Sequence, residues 1–413
     1  MLNNLLLDTE STEFLLHQFR ASRKHSTDLI KNLSPDDCQA QSMDDASPAK
    51  WHLAHVTWFY EVMVLKPFET NFQYWNHHFA VLFNSYYNGV GDKHPRSKRG
   101  LLTRPSLNEV LAWRNNIDER VVDLIKANPS EGLRWLVELG INHEQQHQEL
   151  LLTDIQHLFY SNTLLPTYYP NHHNQPAKKV DFQWIEGCSG LLEVGFNGEG
   201  FHFDNEGPAH SVFNQPHSMG NVLVSNLEWL QFIESGGYKQ SKWWLDAGWA
   251  WVQSEKITAP LYWNLDEATH AYHRFSLYGN QPLDNEAPVS NISYFEADAF
   301  ARWADKNMEH FSGARLPTEF EWEAFANAKN DQPCDLFGKV WQWTGSSYAP
   351  YPRYKPWSGI AGEYNGKFMV NQIVLRGSSS YTTPGHSRIS YRNFFPANTR
   401  WQMTGLRLAK DGF

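Results

Sequence analysis

His143-Glu144-Gln145-Gln146-His147-Gln148-Glu149, inside the stretch Leu139–Tyr160, decides how the first half of the chain is read. Around it Leu133, Leu136, Leu139, Leu150, Leu151 and Leu158 recur at helical spacing, which predicts an amphipathic helix. Residues four apart on a helix lie one above the other, so His143 and His147 can present two imidazoles to one metal ion. Gln146 shares that side. Apolar neighbours turn the rings inward, where an unpartnered polar ring is costly and a metal relieves the cost. A histidine pair at this spacing is about as often structural as ligating, so a third ligand is needed from elsewhere.

Working outward, Ser47-Pro48 places a cap and a first-turn proline ahead of an aromatic-rich helix, Ala49–Leu65, closed by Pro67. This helix carries His52 and His55, and spacing alone leaves open which of them completes the set. Three neutral imidazoles suit Fe, Zn, Cu or Ni and leave positions for substrate and oxygen. A further helix is expected over Thr12–Leu33, ended by Ser34-Pro35. Another follows the capping box Ser106/Glu109, through Val110, Leu111, Trp113, Ile117, Val121, Val122 and Leu124. Four helices with a long connection after the second describe a four-helix bundle able to house a metal between facing helices.

The connection Phe83–Pro105 is longer than a bundle needs. It holds Asn84-Ser85-Tyr86-Tyr87 and the basic run His94-Pro95-Arg96-Ser97-Lys98-Arg99, which is either a solvated loop or a clamp for a substrate carboxylate. The histidine helix also spells the His-Glu-x-x-His of zinc proteases. Leu150 and Thr153 stand where the extended form of that motif needs Gly and His, which argues against the protease reading. Glu149, two residues past His147, points to another side and is read as a supporting residue.

The length of 413 residues suggests two domains, and 41% hydrophobic with 15% aromatic residues argues for compact globular units. A net charge of −10 disfavours a general nucleic-acid or anionic-membrane binder. Cys38, Cys188 and Cys334 are odd in number and far apart, so neither a disulfide framework nor a cysteine zinc site is implied. No leader and no bilayer-length apolar run is evident, and a cytoplasmic protein is expected. Domain boundaries are expected at 1–165 and 180–413, joined by a Pro-rich linker, 166–179, whose His172-His173 is read as solvated. Beyond Val180, helices are expected over Val224–Ser235 and Tyr294–Asn307, with irregular strands and long loops elsewhere.

Ser47-Pro48-Ala49-Lys50-Trp51-His52-Leu53-Ala54-His55-Val56-Thr57-Trp58-Phe59 together with His143-x-x-x-His147-x-Glu149 resembles the ergothioneine-biosynthetic sulfoxide synthases. In the second half, Ala314-Arg315-Leu316-Pro317-Thr318-Glu319-Phe320-Glu321-Trp322-Glu323, Val340-Trp341-Gln342-Trp343-Thr344, Val374-Leu375-Arg376-Gly377-Ser378 and Gly405-Leu406-Arg407-Leu408 agree with that resemblance. It implies a multidomain α and α+β protein: an N-terminal DinB-like four-helix bundle followed by a C-terminal formylglycine-generating-enzyme-type, C-type-lectin-like domain. It further implies Fe(II) held by His55, His143 and His147. Gln146 and Asn393 match positions that contact the betaine substrate hercynine, with Phe394 as an aromatic wall suited to a trimethylammonium group. The implied reaction joins a thiol to C2 of the hercynine imidazole with O2, and Tyr86 and Tyr87 match a phenol pair that delivers the proton.

Departures refine what the resemblance implies. Phe395 stands where branches using γ-glutamylcysteine carry an acidic residue, and Thr399 where they carry a basic one, so cysteine is the expected thiol. Arg96 and Arg99 are candidates for its carboxylate. Gly338-Lys339-Val340-Trp341-Gln342 and Gly377-Ser378-Ser379 differ from the usual pattern and put a structural calcium in question, and Cys188 and Cys334 lack the motif for copper-dependent cysteine oxidation. A selenium donor giving selenoneine, a non-catalytic DinB- or lectin-like binding protein, and a DinB-type thiol transferase are the alternatives.

Overall fold

Amphipathic helices assemble the first half of the chain, and short strands with long connections the second. A computed structural model describes the backbone of residues 2–127, 130–170, 177–329 and 334–412, and their side chains from residue 11 onward. It divides into two compact units, 1–169 and 170–413. His172 and His173, in the expected linker, lie outside the described residues.

In the first unit the long helices are α1 (Leu2–Asp28), α2 (Ala49–Phe59), α3 (Leu107–Lys126) and α4 (Glu131–Tyr160). Helix α1 packs on α3 and α4, and α2 packs on the same two, which makes the bundle. The Ser106/Glu109 capping box starts α3 as its sequence requires, and Ser130 caps α4. Every residue of α2 is buried, so this helix runs through the core instead of lying on it.

Four expectations are corrected here. Helix α1 ends at Asp28 and not Leu33, although Leu29 and Ile30 beyond it remain buried. Ser47 is no side-chain cap: Pro48 occupies the cap position without a side-chain bond, and the Ser47 backbone N–H donates to Asp154 at 2.8 Å. Pro67 does not close the helix that follows; the chain passes through a π-helical segment, Tyr60–Leu65, into a last turn, Lys66–Phe68, where proline at the first positions lacks no needed bond. The connection 83–105 is not wholly a loop, because Arg96–Leu101 forms a 3-10 turn.

One buried charge cluster fixes the rotation of α4. Glu144 is fully buried between Arg23 of α1, at 3.0 Å, and Arg114 of α3, and accepts from Ser26 Oγ at 2.6 Å. Burial pushes its carboxyl upward, but Arg114 and Arg23 outweigh it and hold the group at about 2.

In the second unit, strands β1 (Trp184–Glu186), β2 (Gly190–Val194), β3 (His210–Asn214) and β4 (His217–Gly220) precede helices α5 (Asn226–Glu234) and α6 (Asp246–Glu255). Strands β5 (Trp263–Leu265), β6 (Tyr272–Ser276) and β7 (Gly279–Pro282) follow, then α7 (Tyr294–Asn307), β8 (Ala314–Arg315) and α8 (Glu319–Lys329). The chain closes with β9 (Trp341–Ser347), β10 (Ile373–Gly377), β11 (Asn393–Phe395), β12 (Thr404–Gly405) and β13 (Ala409–Asp411). The sheets run β1-β4-β13-β8, β11-β10-β9-β12, β2-β3 and β5-β6-β7. Met219, Trp322, Phe325, Leu336 and Ala409 meet in one core cluster.

Helices α6 and α8 contradict the expectation of irregular strands and loops there. Glu319-Phe320-Glu321-Trp322-Glu323 alternates polar and apolar like a strand. It is helical because the glutamates are themselves buried: Glu319 pairs with Arg376 and Arg392 at 2.9 and 2.8 Å, Glu321 with Arg315 at 2.7 Å, and Glu323 with Arg376 at 2.8 Å. In α6 only Gly248 and Val252 are buried, so no apolar stripe announces it.

Gly140 of α4 faces Tyr60, and a Cβ there would lie 2.6 to 2.9 Å from Cε1, Cζ and Oη of that buried ring. Gly140→Ala gains about 1 kcal/mol of helix propensity but overpacks the contact at a cost of about 1–3 kcal/mol. A net loss is expected, read as a lower urea midpoint on the helical signal; a gain would mean that the two helices separate freely.

Candidate metal centre

Helices α2 and α4 bring three imidazoles together. His55 stacks on Trp51, one turn before it, at 4.7 Å between ring centroids, and on Trp58, one turn after it, at 5.4 Å. Its Nδ1–H donates to the Phe83 carbonyl at 2.6 Å, which leaves Nε2 as the nitrogen with a lone pair. That Nε2 faces Nε2 of His143 at 3.2 Å. The His147 ring lies 4.7 Å from each of the other two, and one nitrogen from each of His55, His143 and His147 falls within 4.8 Å of the others.

Three donors so placed repel unless a proton or a cation stands among them, and protonation is disfavoured. Burial, then the neighbouring His143, holds His55 well below the ordinary imidazole range; burial, His143 and His55 do the same for His147; burial takes His143 down to about 3. Neutral, convergent nitrogens are the form a divalent metal binds, so the residues present fit a transition-metal ion.

His52 does not join this group. Its Nδ1 lies 2.9 Å from Nδ1 of His147, and its Nε2 lies 3.0 Å from Asp154 Oδ2. Glu144, the glutamate of the protease-like spelling, is committed to Arg23 and Arg114 and so is not placed as a general base toward the histidines. Glu149 is buried on α4, and Gln146 is half-buried there.

The connection after α2 touches His55 and the two tryptophans that stack on it. Asn84 closes a turn, accepting from Tyr87 N–H at 3.0 Å and donating to Tyr87 O at 2.9 Å. Tyr87 is buried and lies 5.5 Å from Trp58, while Tyr86 is half-buried and stacks on Tyr87 at 4.6 Å, their hydroxyls 3.5 Å apart. The basic run splits in two. Arg99 is buried with its guanidinium 3.4 Å above the Trp51 ring, donates to Ser47 Oγ and Ser85 Oγ, and is drawn down to about 9 by burial and by Arg96. Arg96 is exposed and donates to the Asp45 carbonyl.

In the second unit Asn393, Phe394 and Phe395 are half-buried on β11, paired with Leu375, Val374 and Ile373 of β10. Phe394 stacks on Tyr348 at 4.1 Å and 9°. Arg392, next in line, is clamped by Glu319, by Asn205 O and by Ala349 O, which fixes the strand that carries Asn393. Gln342 accepts from Trp322 and Arg407 and donates to Leu336 O, so its amide serves the core.

Sequence reasoning missed Asp154, the Phe83 carbonyl and the two tryptophans flanking His55. Asp154 had a signal: at roughly 100° per residue, positions 143, 147 and 154 fall on one stripe.

Comparison with known proteins agrees with both halves. Residues 18–151 match the model of the DinB superfamily, and residues 173–333 and 332–412 match that of the sulfatase-modifying factor enzyme 1-like domain. The hercynine oxygenase of Mycolicibacterium smegmatis is 30% identical over 365 residues, 77% of this chain and 82% of that protein. The hercynine oxygenase of Mycobacterium tuberculosis is 29% identical over 88% of this chain and 91% of that protein. A formylglycine-generating enzyme of Thermomonospora curvata is 27% identical over 46% of this chain and 63% of its own length. The chain belongs to the hercynine oxygenase family.

The unfolded chain takes up protons on its histidines at about pH 6.5, whereas the three clustered rings, His55 and His143 buried and His147 half-buried, stay neutral well below that. Their contribution is therefore fully present above about pH 6.5 and is lost as pH falls toward the folded values. The thermal midpoint of the metal-free protein is expected to drop between about pH 7 and pH 5, with up to about 1.4 kcal/mol per ring per pH unit. His143→Asn is expected to make the slope shallower; a flat wild-type profile would mean that the rings are solvated.

Proposed function

We propose that this member of the hercynine oxygenase family is a non-heme Fe(II)- and O2-dependent sulfoxide synthase that joins cysteine, in preference to γ-glutamylcysteine, to C2 of the hercynine imidazole. The reaction balances as hercynine plus thiol plus O2 giving the sulfoxide plus water: one C–H and one S–H bond are lost and one C–S bond forms. One oxygen atom goes to sulfur and the other leaves as water. The observation that carries the reading is the set of three neutral imidazole nitrogens of His55, His143 and His147 within 4.8 Å, in a chain related to hercynine oxygenases over most of its length. Iron in that set would supply the O2 activation that no side chain provides.

The remaining roles fall to the chain's own groups. The Phe83 carbonyl holds His55 with Nε2 toward its partners. Tyr86, half-buried beside the buried Tyr87, is the phenol of the pair open to a substrate, and the pair is assigned proton delivery to the reduced oxygen. Arg99, buried and donating to the hydroxyls of Ser47 and Ser85, is assigned the thiol's carboxylate, with Arg96 as an outer charge. Gln146, Asn393 and Phe394 are assigned to hercynine, whose trimethylammonium group suits an aromatic face and oriented amides. Phe395 supports cysteine, because an apolar ring offers a glutamyl ammonium no partner.

The test is anaerobic loading with Fe(II), followed by hercynine, O2 and either cysteine, γ-glutamylcysteine or a selenosugar, with product masses read out. The cysteine sulfoxide is expected to dominate. No O2 uptake with any donor would overturn the reading, and a selenium product alone would replace the thiol. Tyr86→Phe is expected to lower turnover by about 10²- to 10⁴-fold; unchanged turnover and product ratio in both Tyr86→Phe and Tyr87→Phe would remove the phenol assignment.

A further inference from the structure

Asp154 lies on the histidine-bearing stripe of α4, seven residues past His147, and its environment is unusually specific for a residue outside the three-histidine group. Its Oδ2 accepts the backbone N–H of Ser47 at 2.8 Å and sits 3.0 Å from Nε2 of His52. Asp154, His52 and the ring of His147 are all inside the first unit, and both His52 and Asp154 are buried. The void beside them, lined by Ser26, His52, Leu53, Val56, His147, Gln148 and Leu151, measures about 10 Å³. That is room for one water at most.

The direction of each hydrogen bond follows from counting protons. An oxygen that already accepts a backbone N–H acts as a carboxylate acceptor, so His52 must turn Nε2–H toward it. A neutral His52 then has a bare Nδ1. The 2.9 Å contact of that nitrogen with Nδ1 of His147 needs one proton between them, which His147 must supply. His147 is thereby held in the tautomer whose Nε2 carries the lone pair.

We infer that His52 and Asp154 are positioning residues: a carboxylate–imidazole relay that sets the tautomer and ring orientation of His147, so that it offers Nε2 to the metal. His52 is thus distinguished from His55, which stands in the same helix but is oriented by a backbone carbonyl. The inference rests on the assignment of His147 as a ligand. Partners of this kind orient ligating histidines and raise their basicity, and removing one typically weakens metal binding by about 10- to 100-fold.

The experiment measures Fe(II) affinity of the full chain anaerobically, by competition with a chromophoric chelator, alongside the thermal midpoint of each metal-free protein. Asp154→Ala and His52→Ala are each expected to weaken Fe(II) binding by about 10- to 100-fold. The double variant is expected to bind Fe(II) no more weakly than the single ones, because Asp154 reaches His147 only through His52. Asp154→Asn is expected to stay within a few-fold of wild type, since an amide oxygen still accepts both N–H groups. If Asp154→Ala does not fold, having orphaned the Ser47 N–H, His52→Ala with and without Asp154→Asn carries the same comparison. Undiminished affinity in Asp154→Ala, or losses that add in the double variant, would overturn the relay. Complete loss of iron in His52→Ala with Asp154→Ala unaffected would also overturn it, making His52 a ligand. A wild-type protein that retains no Fe(II) would instead sink the metal assignment beneath it.

Discussion

Everything in the first unit depends on holding uncharged imidazoles nitrogen to nitrogen inside a bundle, an arrangement that repels itself in the absence of a cation. The protein imposes it from outside the histidines. Glu144 follows His143 on α4 and is gripped by guanidiniums from α1 and α3, so one turn of α4 is locked in rotation and His143 has one direction to face. A buried ion pair of this kind is weak support for stability, because desolvation offsets its Coulomb gain. Its value here is directional: the alternative rotation would bury Glu144 without partners.

The parts of the fold and of this centre that were legible in the sequence are those that obey a local period. In the first unit His143 and His147 follow from helical spacing and α3 from its capping box; in the second, α7 has the expected bounds, Tyr294–Asn307. The choice between His52 and His55 was not local. It turns on which ring finds the Phe83 carbonyl and which finds Asp154, and each of those partners comes from another element. Arg23 and Arg114 were equally silent, since a charged residue in an amphipathic pattern reads as solvated until its tertiary partner is known.

The second unit shows the same limit in another form. A glutamate every second residue in α8 mimics the outward face of a strand, yet Glu319, Glu321 and Glu323 are buried and answered by arginines from β8, β10 and the segment before β11. Sequence period reports burial only when burial is apolar. In the first unit the π-helical segment Tyr60–Leu65 has a comparable effect, because faces assigned at 3.6 residues per turn no longer hold beyond Phe59.

The turn that opens the long connection after α2 is tied together by one buried side chain, and this links the orientation of His55 to the placement of the tyrosine pair. Asn84, wholly buried, donates to the carbonyls of Tyr87, Gly91 and Asp92 and accepts the N–H of Tyr87. The carbonyl that orients His55 belongs to Phe83, immediately before it, and the phenol pair follows within three residues. Tyr87 in turn approaches Trp58, whose ring stacks on His55. A displacement of this turn would therefore disturb the His55 tautomer and the phenols together. The connection thus places side chains on both aromatic neighbours of His55, because its own 3-10 turn carries Arg99 onto Trp51, which stacks on the same imidazole.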